Sequence, residues 1–238
     1  MYFLEQFANW KFYLMGMYPE GELGGLLLNI QLAVVCLLLS FLAGLVLGYL
    51  RLSPRKFIRI PVGWYIDIVR SVPLLMIVFW FYFFLPYIMG EHITVFRSAA
   101  FSLFVYGSAY QAEIVRAGIL AVPKGQMEAA MTIGLSKRLA MTYIIFPQAF
   151  KIMVPSFVSF FITLFKDTSI AYVIGIIELT QAGVIVSQRQ PDRIYAAYLS
   201  VAIGFWVVSY SISRIENVLK KKFGTIEIAG IITGTKRV

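Results

Sequence analysis

A short polar run interrupts an otherwise apolar stretch of the chain, and its side chains could bind a small charged molecule. Lys166, Asp167, Thr168 and Ser169 follow the uncharged run Ile152–Phe165. Ionisable groups at membrane depth cost roughly 2.5 to 3.5 kcal/mol each, so they usually face a cavity or pair with one another. Neighbouring residues on an ideal helix point about 100° apart, so a break in the helix would let them act together and expose backbone groups to a zwitterion. A structural pair that reaches neighbouring helices is the alternative.

A second charged pair precedes the apolar run Ser71–Gly90. Asp67 and Arg70 are three residues apart, a spacing that places both side chains on one face of a helix. Long basic side chains near the end of a membrane helix can extend to the lipid headgroups. We therefore expect Asp67 and Arg70 to form a structural ion pair.

The segment Met127–Leu139 could make a mechanical contact with a soluble partner. It contains Glu128, Ala129 and Ala130, followed by Gly134. The two alanines permit close approach of another chain, and the carboxylate of Glu128 can accept hydrogen bonds from a basic residue. Because glycine permits a sharp change of direction, the segment is predicted to form a short helix, a bend and a second short helix.

Aromatic residues fill the run Ser71–Gly90 between Pro73 and Pro86. Phe79 and Tyr82 lie in the middle of this run. Such side chains can face lipid, belong to the core or line a pocket, and their spacing alone leaves these possibilities open.

The elements that position these residues must be membrane helices. The chain has 238 residues, is 60% apolar and only 14% charged, and has a mean hydropathy of +0.79. A soluble domain of this size would need a larger polar shell, and uninterrupted apolar runs favour helices over barrel strands. The sequence predicts an all-α integral membrane protein with five transmembrane helices, over Leu23–Leu50, Ser71–Gly90, Ser98–Ala112, Ile152–Phe165 and Ile194–Ser213.

The distribution of positive charge predicts the topology. Most of the 21 lysines and arginines fall in segments on one side of these five spans. The positive-inside rule then places the N-terminus outside and the C-terminus in the cytoplasm. The predicted organisation is an extracytoplasmic or interfacial arm over residues 1–22, a transmembrane domain over 23–219 with a long cytoplasmic loop at about 118–147, and a cytoplasmic tail over 220–238. Shorter loops are predicted over Arg51 to Pro61 on the inside and over Glu178 to Arg193 on the outside.

Several kinds of chemistry are excluded by missing residue patterns. No G-x-x-x-x-G-K-[ST] run is present, so the chain cannot bind ATP through a P-loop. His92 is the only histidine and is predicted in an outside loop, so no Ser-His or HExxH arrangement supports a hydrolase. Cys36 stands alone in the first apolar run, which argues against a disulfide or a cysteine metal site. We expect no enzymatic activity, no metal and no cofactor in this chain.

The residue spacing in and after the segment Met127–Leu139 also resembles a known family. The chain has Glu128-Ala129-Ala130, then Gly134 after a gap of three residues, and then Ile144-Ile145-Phe146-Pro147 after a gap of nine. This pattern is similar to the cytoplasmic coupling loop of ATP-binding-cassette (ABC) importer permeases, which usually have Leu where Phe146 stands. The resemblance implies the type I importer permease fold with a cytoplasmic coupling helix. It also implies two separate ATP-binding subunits, which bind ATP and Mg²⁺ and contact Glu128, Ala129, Ala130 and Gly134.

Three further runs are similar to the polar amino acid branch of these permeases. They are Arg70-Ser71-Val72-Pro73-Leu74-Leu75 with Phe79 to Pro86, Lys166-Asp167-Thr168-Ser169, and Glu178-Leu179. The resemblance implies an amino acid substrate, delivered by an extracytoplasmic binding protein and bound by Phe79, Tyr82, Lys166, Asp167, Thr168 and Ser169. Within the branch the chain looks most similar to glutamate/aspartate permeases. The branch often has Gln in place of Ile77 and a small residue in place of Phe84, and glutamine or a basic amino acid remains open as substrate.

The resemblance implies a multi-pass protein of the bacterial inner membrane. Five helices are few for enclosing a pathway, so we expect a second permease subunit, either another copy or a similar chain. Lipid is a further partner, and nucleic acid is not expected. The alternative from another class is a channel or secondary carrier that works without an ATPase and responds to an ion gradient.

Overall fold

The computed structural model describes residues 10–90 and 93–234, and these residues fold into helices joined by short turns. His92 lies outside the described residues. The helices, in chain order, are α1 (Trp10–Met15), α2 (Gly25–Arg51), α3 (Lys56–Ser71), α4 (Leu74–Met89), α5 (Val95–Ala121), α6 (Lys124–Thr132), α7 (Lys137–Ala140), a π-helical turn (Met141–Ile145), α8 (Phe146–Asp167), a 3-10 helix (Thr168–Ile174), α9 (Leu179–Arg189), a 3-10 turn (Pro191–Arg193) and α10 (Ile194–Gly234).

Three described helical segments are long and apolar enough to cross a membrane, or four if the bent pair α3 and α4 makes one span. The three are Gly25–Arg51, Lys137–Ile174 and Pro191–Lys222. The predicted third span corresponds to α5, whose 27 residues make a helix about 40 Å long. α5 packs against α2, α3, α4 and α8, so much of its surface faces protein and need not be apolar. The all-α prediction is confirmed for the described residues, whereas the count of five spans stays a prediction.

The sequence prediction placed a cytoplasmic loop over Arg51 to Pro61, and this is wrong because α3 begins at Lys56. α3 and α4 meet at an angle of 107°. Val72 has an extended backbone at this corner, as expected for a residue that precedes proline, and Pro73 caps α4. The apolar run therefore begins with a sharp bend.

The prediction of an outside loop over Glu178 to Arg193 is also wrong. Most of this segment is α9, whose N-terminus is capped by Glu178. Both carboxylate oxygens of Glu178 accept hydrogen bonds from backbone N–H groups, those of Thr180 and Gln181 at 2.9 Å each. The buried side of α9 carries Ala182 and Gly183, small residues that permit close packing against α10.

Among the described helices, α2 and α5 make the most extensive contact. Gly44 and Gly48 of α2 face α5 directly, and the side chain of Gln111 on α5 donates a hydrogen bond to Ser40. The opposite side of α2 exposes large apolar residues. A membrane helix commonly places small and polar residues against neighbouring helices and large apolar residues toward the lipid, and α2 has this arrangement. These outward residues are Leu38, Leu39, Leu42 and Val46.

The described part of the N-terminal arm packs onto the helices. Tyr13 of α1 is buried against α9 and α10 in a cluster with Leu179 and Val201. The chain then turns back, and the N–H of Gly25 donates to the carbonyl of Ile177 at 2.9 Å. The start of α2 is thus tied to the segment that connects the 3-10 helix to α9.

Alanine in place of Gly48 should destabilise the protein. A Cβ at this position would collide with the carbonyl of Ala112 and the side chain of Val115, neither of which can move freely. Overpacking of this kind costs about 1 to 3 kcal/mol. A thermal melt of the purified protein in detergent should show a fall in Tm of several degrees.

Gly204→Ala is the matched control for this prediction. A Cβ at Gly204 of α10 would meet mainly the flexible end of the Leu179 side chain, and alanine favours a helix by about 1 kcal/mol over glycine. Because the buried Leu179 side chain must shift to make room, we expect a small fall in Tm for Gly204→Ala, well below that for Gly48→Ala. Equal melting temperatures for the two variants would contradict close backbone contact between α2 and α5.

Candidate functional site

The predicted helix, bend and second helix are all present in the segment after α5. α6 and α7 are joined through Gly134, whose φ of +88° lies in the left-handed region. The N–H of Leu135 donates to the carbonyl of Ala130 at 3.1 Å, and that of Gly134 donates to Met131 at 3.0 Å. These two bonds form the Schellman motif that ends many helices and favours glycine at this position. Ser136 then caps α7 by accepting from the N–H of Leu139.

The α6 segment has an anchored side and an exposed side. Ala130 is buried, and Met127 packs on a cluster that includes Ile145 and Ala149. Glu128 and Ala129 are exposed. Met131 and Ile133 are also exposed, the latter to 78%. Exposed apolar residues grouped with a carboxylate are typical of a protein docking surface.

The base of this segment is a π-helical turn that leads into α8. The N–H of Phe146 donates to the carbonyl of Met141, five residues earlier. Pro147 follows and has no N–H of its own, so the wider turn accommodates a missing hydrogen bond in an otherwise continuous helix. The π turn contacts α6 and α7 and joins them mechanically to α8.

Lys166 and Asp167 end α8, and their side chains point to different sides. Lys166 is exposed in a groove between α8 and α10, near Trp206 and Ser209. Asp167 lies beside Tyr106 of α5, and its buried Oδ2 has no hydrogen-bond partner among the described residues. The helix changes from α to 3-10 directly after Asp167. The side chains of Lys166 and Asp167 therefore diverge, as expected for two neighbouring residues on a helix.

Thr168 belongs to a buried polar network, whereas Ser169 is only half-buried. The side-chain amide of Asn29 on α2 donates to Thr168 Oγ1 and to Glu178 Oε2, both at 2.9 Å. Its Oδ1 accepts from the backbone N–H of Leu179 at 3.0 Å. Asn29, Thr168 and Glu178 are each fully buried. The network therefore joins α2, the 3-10 helix and the start of α9.

Phe79 and Tyr82 lie half-buried on α4. Both pack against the main apolar core, which includes Phe160 of α8 and Ala171 of the 3-10 helix. α4 also contacts the 3-10 helix directly. The structure thus brings Phe79 and Tyr82 into the neighbourhood of the segment that begins at Thr168, while Lys166 faces the α10 side.

Comparison with known proteins decides the family. Residues 14–225 match the model of a family described as binding-protein-dependent transport system inner membrane component. The chain belongs to this family. It is the permease subunit of an amino acid ABC importer, a multi-pass protein of the bacterial inner membrane. Membership implies an ATPase and a binding protein as partners and makes the permease itself a non-catalytic subunit.

Two relatives of the permease are themselves named as amino acid permeases, with different substrates. It is 35% identical over 205 residues to the probable glutamine ABC transporter permease protein GlnP of Bacillus subtilis, covering 84% of this chain and 94% of that one. It is 31% identical over 213 residues to the glutamate/aspartate import permease protein GltK of Escherichia coli O6:H1, covering 84% and 92%. The relatives thus agree on the transporter class and differ in the named substrate.

A solved structure supports the same fold. The permease superposes on a chain from the crystal structure of an amino acid ABC transporter with histidines, with a TM-score of 0.77 and 31% sequence identity. The match covers 82% of this chain and 91% of that chain. The fold of an ABC importer permease is therefore shown for most of the permease.

The expected ion pair between Asp67 and Arg70 is wrong. Asp67 instead accepts a hydrogen bond from Arg51 at 2.8 Å. Arg70 lies 5.3 Å from the ring centre of Tyr110 and 3.8 Å from a carboxylate oxygen of Glu113. The pairing rule for one helix failed because α2 and α5 pack against α3 and supply competing partners.

Sequence reasoning also missed Asn29. It is one of two amides, with Gln31, in the first part of an apolar run, and a side chain of that kind is costly in lipid unless it is hydrogen-bonded. That signal could have marked Asn29 as part of a polar network. Its partners could not have been found from the sequence, because they lie more than 100 residues away.

Proposed function

We propose that the permease imports a polar amino acid, with glutamate or aspartate as the first candidate, by alternating access. In this proposal an extracytoplasmic binding protein delivers the substrate, and two ATP-binding subunits drive the cycle with ATP and Mg²⁺. A second permease subunit, either a copy of this chain or a similar one, completes the pathway. The chain crosses the membrane five times, with its N-terminus outside and its C-terminus in the cytoplasm.

The observation that carries the proposal is the form of the α6 segment. It exposes Glu128, Ala129, Met131 and Ile133 on a short helix that is fixed at its end by Gly134. The permease has no P-loop of its own, so the energy must enter through contact with another subunit. A rigid projection joined to α8 can transmit a displacement from an ATPase to the membrane helices.

The proposed substrate site lies around the end of α8. Asp167 Oδ2 is buried without a hydrogen-bond partner in the described part of the chain, and an α-ammonium group would supply one. Phe79, Tyr82, Thr168 and Ser169 belong to the elements packed around it. Lys166 lines the groove toward α10 in this structure. We propose that Lys166 reaches the substrate carboxylate after a change of rotamer.

The choice of glutamate or aspartate depends on the residues Arg70 to Leu74 and Phe79 to Tyr82, which are similar to glutamate/aspartate permeases. GltK, at 31% identity, carries that substrate in its name. The second candidate is glutamine, because GlnP is 35% identical and is named for it. A basic amino acid would use the same two charged residues through different contacts.

Amino acid dependence of ATP hydrolysis tests this proposal. The permease, its ATPase and its binding protein would be reconstituted in liposomes and assayed with glutamate, aspartate, glutamine, histidine and arginine in turn. We expect ATP hydrolysis and uptake to rise several-fold with glutamate or aspartate alone. Stimulation by another amino acid would keep the mechanism and replace the substrate. Substrate flux without any ATPase would instead favour the channel or carrier.

A further inference from the structure

A cavity on the α5 side of the permease contains charged residues that the substrate site does not use. Its volume is about 360 Å³, at the lower end of the range for small-molecule sites. Arg70, Tyr110, Glu113 and Ala117 line one side, and Ser156 of α8 lines the other. The cavity lies at the corner between α3 and α4, toward the end of α5 that leads into α6.

The two charged residues of this cavity, Glu113 and Arg70, differ in the hydrogen bonds that they make. Glu113 is held by Arg116, whose Nε lies 3.0 Å from both carboxylate oxygens and whose Nη2 lies 2.5 Å from one of them. Arg70 is 3.8 Å from Glu113, which is too long for a hydrogen bond. Its other described contact is the face of Tyr110. Arg116 lies outside the lining of this cavity, so Arg70 and Glu113 are the charged residues among those that line it. Because Arg116 already holds Glu113, the donors of Arg70 are directed to no described acceptor.

A line of polar aromatic residues connects this cavity to Asp167. Tyr106, Tyr110, Glu113 and Ala117 are spaced by three or four residues and so lie on one face of α5. Tyr106 lies beside Asp167, and its ring is 4.5 Å from that of Tyr110. Seven residues separate Tyr106 from Glu113, which corresponds to about 10 Å along the helix axis. The site at Asp167 and the cavity at Glu113 therefore lie one after the other along a single face of α5.

We propose that Arg70, Tyr110 and Ser156 form an inner binding site for the carboxylate of the transported amino acid, which occupies it after leaving Asp167. The inference rests on the proposed function. A guanidinium group with free donors can hold a carboxylate by two parallel hydrogen bonds. The tyrosine ring fixes the plane of the guanidinium, and Ser156 adds a hydroxyl on the opposite wall.

Substrate protection of an engineered thiol tests the inner site in the reconstituted importer. Ser156→Cys, combined with Cys36→Ala, would be labelled with the anionic reagent 2-sulfonatoethyl methanethiosulfonate. The amino acid that stimulates ATP hydrolysis should slow labelling at least fivefold, and the effect should saturate with its concentration. Adding Arg70→Gln should abolish this protection, whereas Arg70→Lys should retain part of it, since lysine keeps the charge and loses the paired hydrogen bonds.

Lys56→Cys provides the control for general accessibility. Residue 56 is exposed at the start of α3 and lies outside the cavity, so the amino acid should not change its labelling rate. Stimulated ATP hydrolysis without protection of Ser156→Cys would overturn the inner site and leave the proposed function intact. Equal protection in the Arg70→Gln background would also overturn it. Lack of stimulation by every amino acid would overturn the proposed function, and the inner site with it.

Discussion

Leucine in place of Asn29 is expected to destabilise the permease by about 2 to 4 kcal/mol, since it removes three buried hydrogen bonds at once. Its amide donates to Thr168 and Glu178 and accepts from the N–H of Leu179. Leucine has a similar volume, so the loss is chiefly electrostatic. The carboxylate of Glu178 would keep its two backbone donors and lose the donor from Asn29, while the N–H of Leu179 would lose its acceptor.

The expected measurement is a fall in Tm of several degrees for the purified permease in detergent. Hydrogen bonds between membrane helices often contribute only about 0.6 kcal/mol, because the unfolded helices find other partners. We expect a larger effect here because one acceptor is the carboxyl group of Glu178 and one donor is a backbone group, both fully enclosed.

Gln31→Leu is the matched control, since it makes the same type of change two residues away on α2. Gln31 is exposed and its side chain has no part in the network. The control variant should melt within a degree or two of the wild type. If Asn29→Leu and Gln31→Leu had the same Tm, the network would be a minor contributor and α9 would be held by its apolar contacts alone.

The sequence predicted the helices that face lipid and the bend of the α6 segment. Lipid-facing helices are recognisable because they need long uncharged runs, as in α2 and α10. The bend at Gly134 was predictable because few other residues tolerate a positive φ. Both signals are local, and neither depends on which helices pack together.

Structures that depend on tertiary contacts were not predictable in the same way. α9 lies where the sequence predicts a loop, since it is short and contains polar residues, yet Glu178 caps it and Tyr13 of a distant segment packs against it. Arg70 was assigned to Asp67 on the same helix, whereas its neighbours come from α5. Thr168 was predicted to bind substrate, and in the structure its hydroxyl accepts from Asn29 and donates to the carbonyl of Phe165. A role in substrate binding for Thr168 would therefore compete with this network.

Substitution of Gly134 should separate ATP hydrolysis from transport. Gly134 has a φ of +88°, a conformation that costs other residues about 1 to 2 kcal/mol, and no atom lies where a Cβ would be placed. The penalty for Gly134→Ala is therefore purely conformational. If it shifts α6 and α7 out of their present arrangement, uptake per ATP hydrolysed should fall about tenfold, since about 1.4 kcal/mol corresponds to a factor of ten. Asparagine tolerates this conformation better, so Gly134→Asn should lose less.

Gly134→Pro should have the largest effect of the series. Proline fixes φ near −65° and removes the N–H that donates to Met131, so the Schellman motif cannot form. Uptake in proteoliposomes should be lost, while the basal ATP hydrolysis of the partner subunits persists.

Gly125→Ala is the control because it places the same methyl group in the same segment at a glycine without positive φ, and also into open space. Alanine should strengthen α6 slightly at this position, so uptake per ATP should match the wild type. A Gly134→Pro variant with normal uptake would show that the bend has no part in energy transfer. Equal losses for Gly125→Ala and Gly134→Ala would mean that added bulk on this surface, and not the backbone conformation, disturbs the contact with the ATPase.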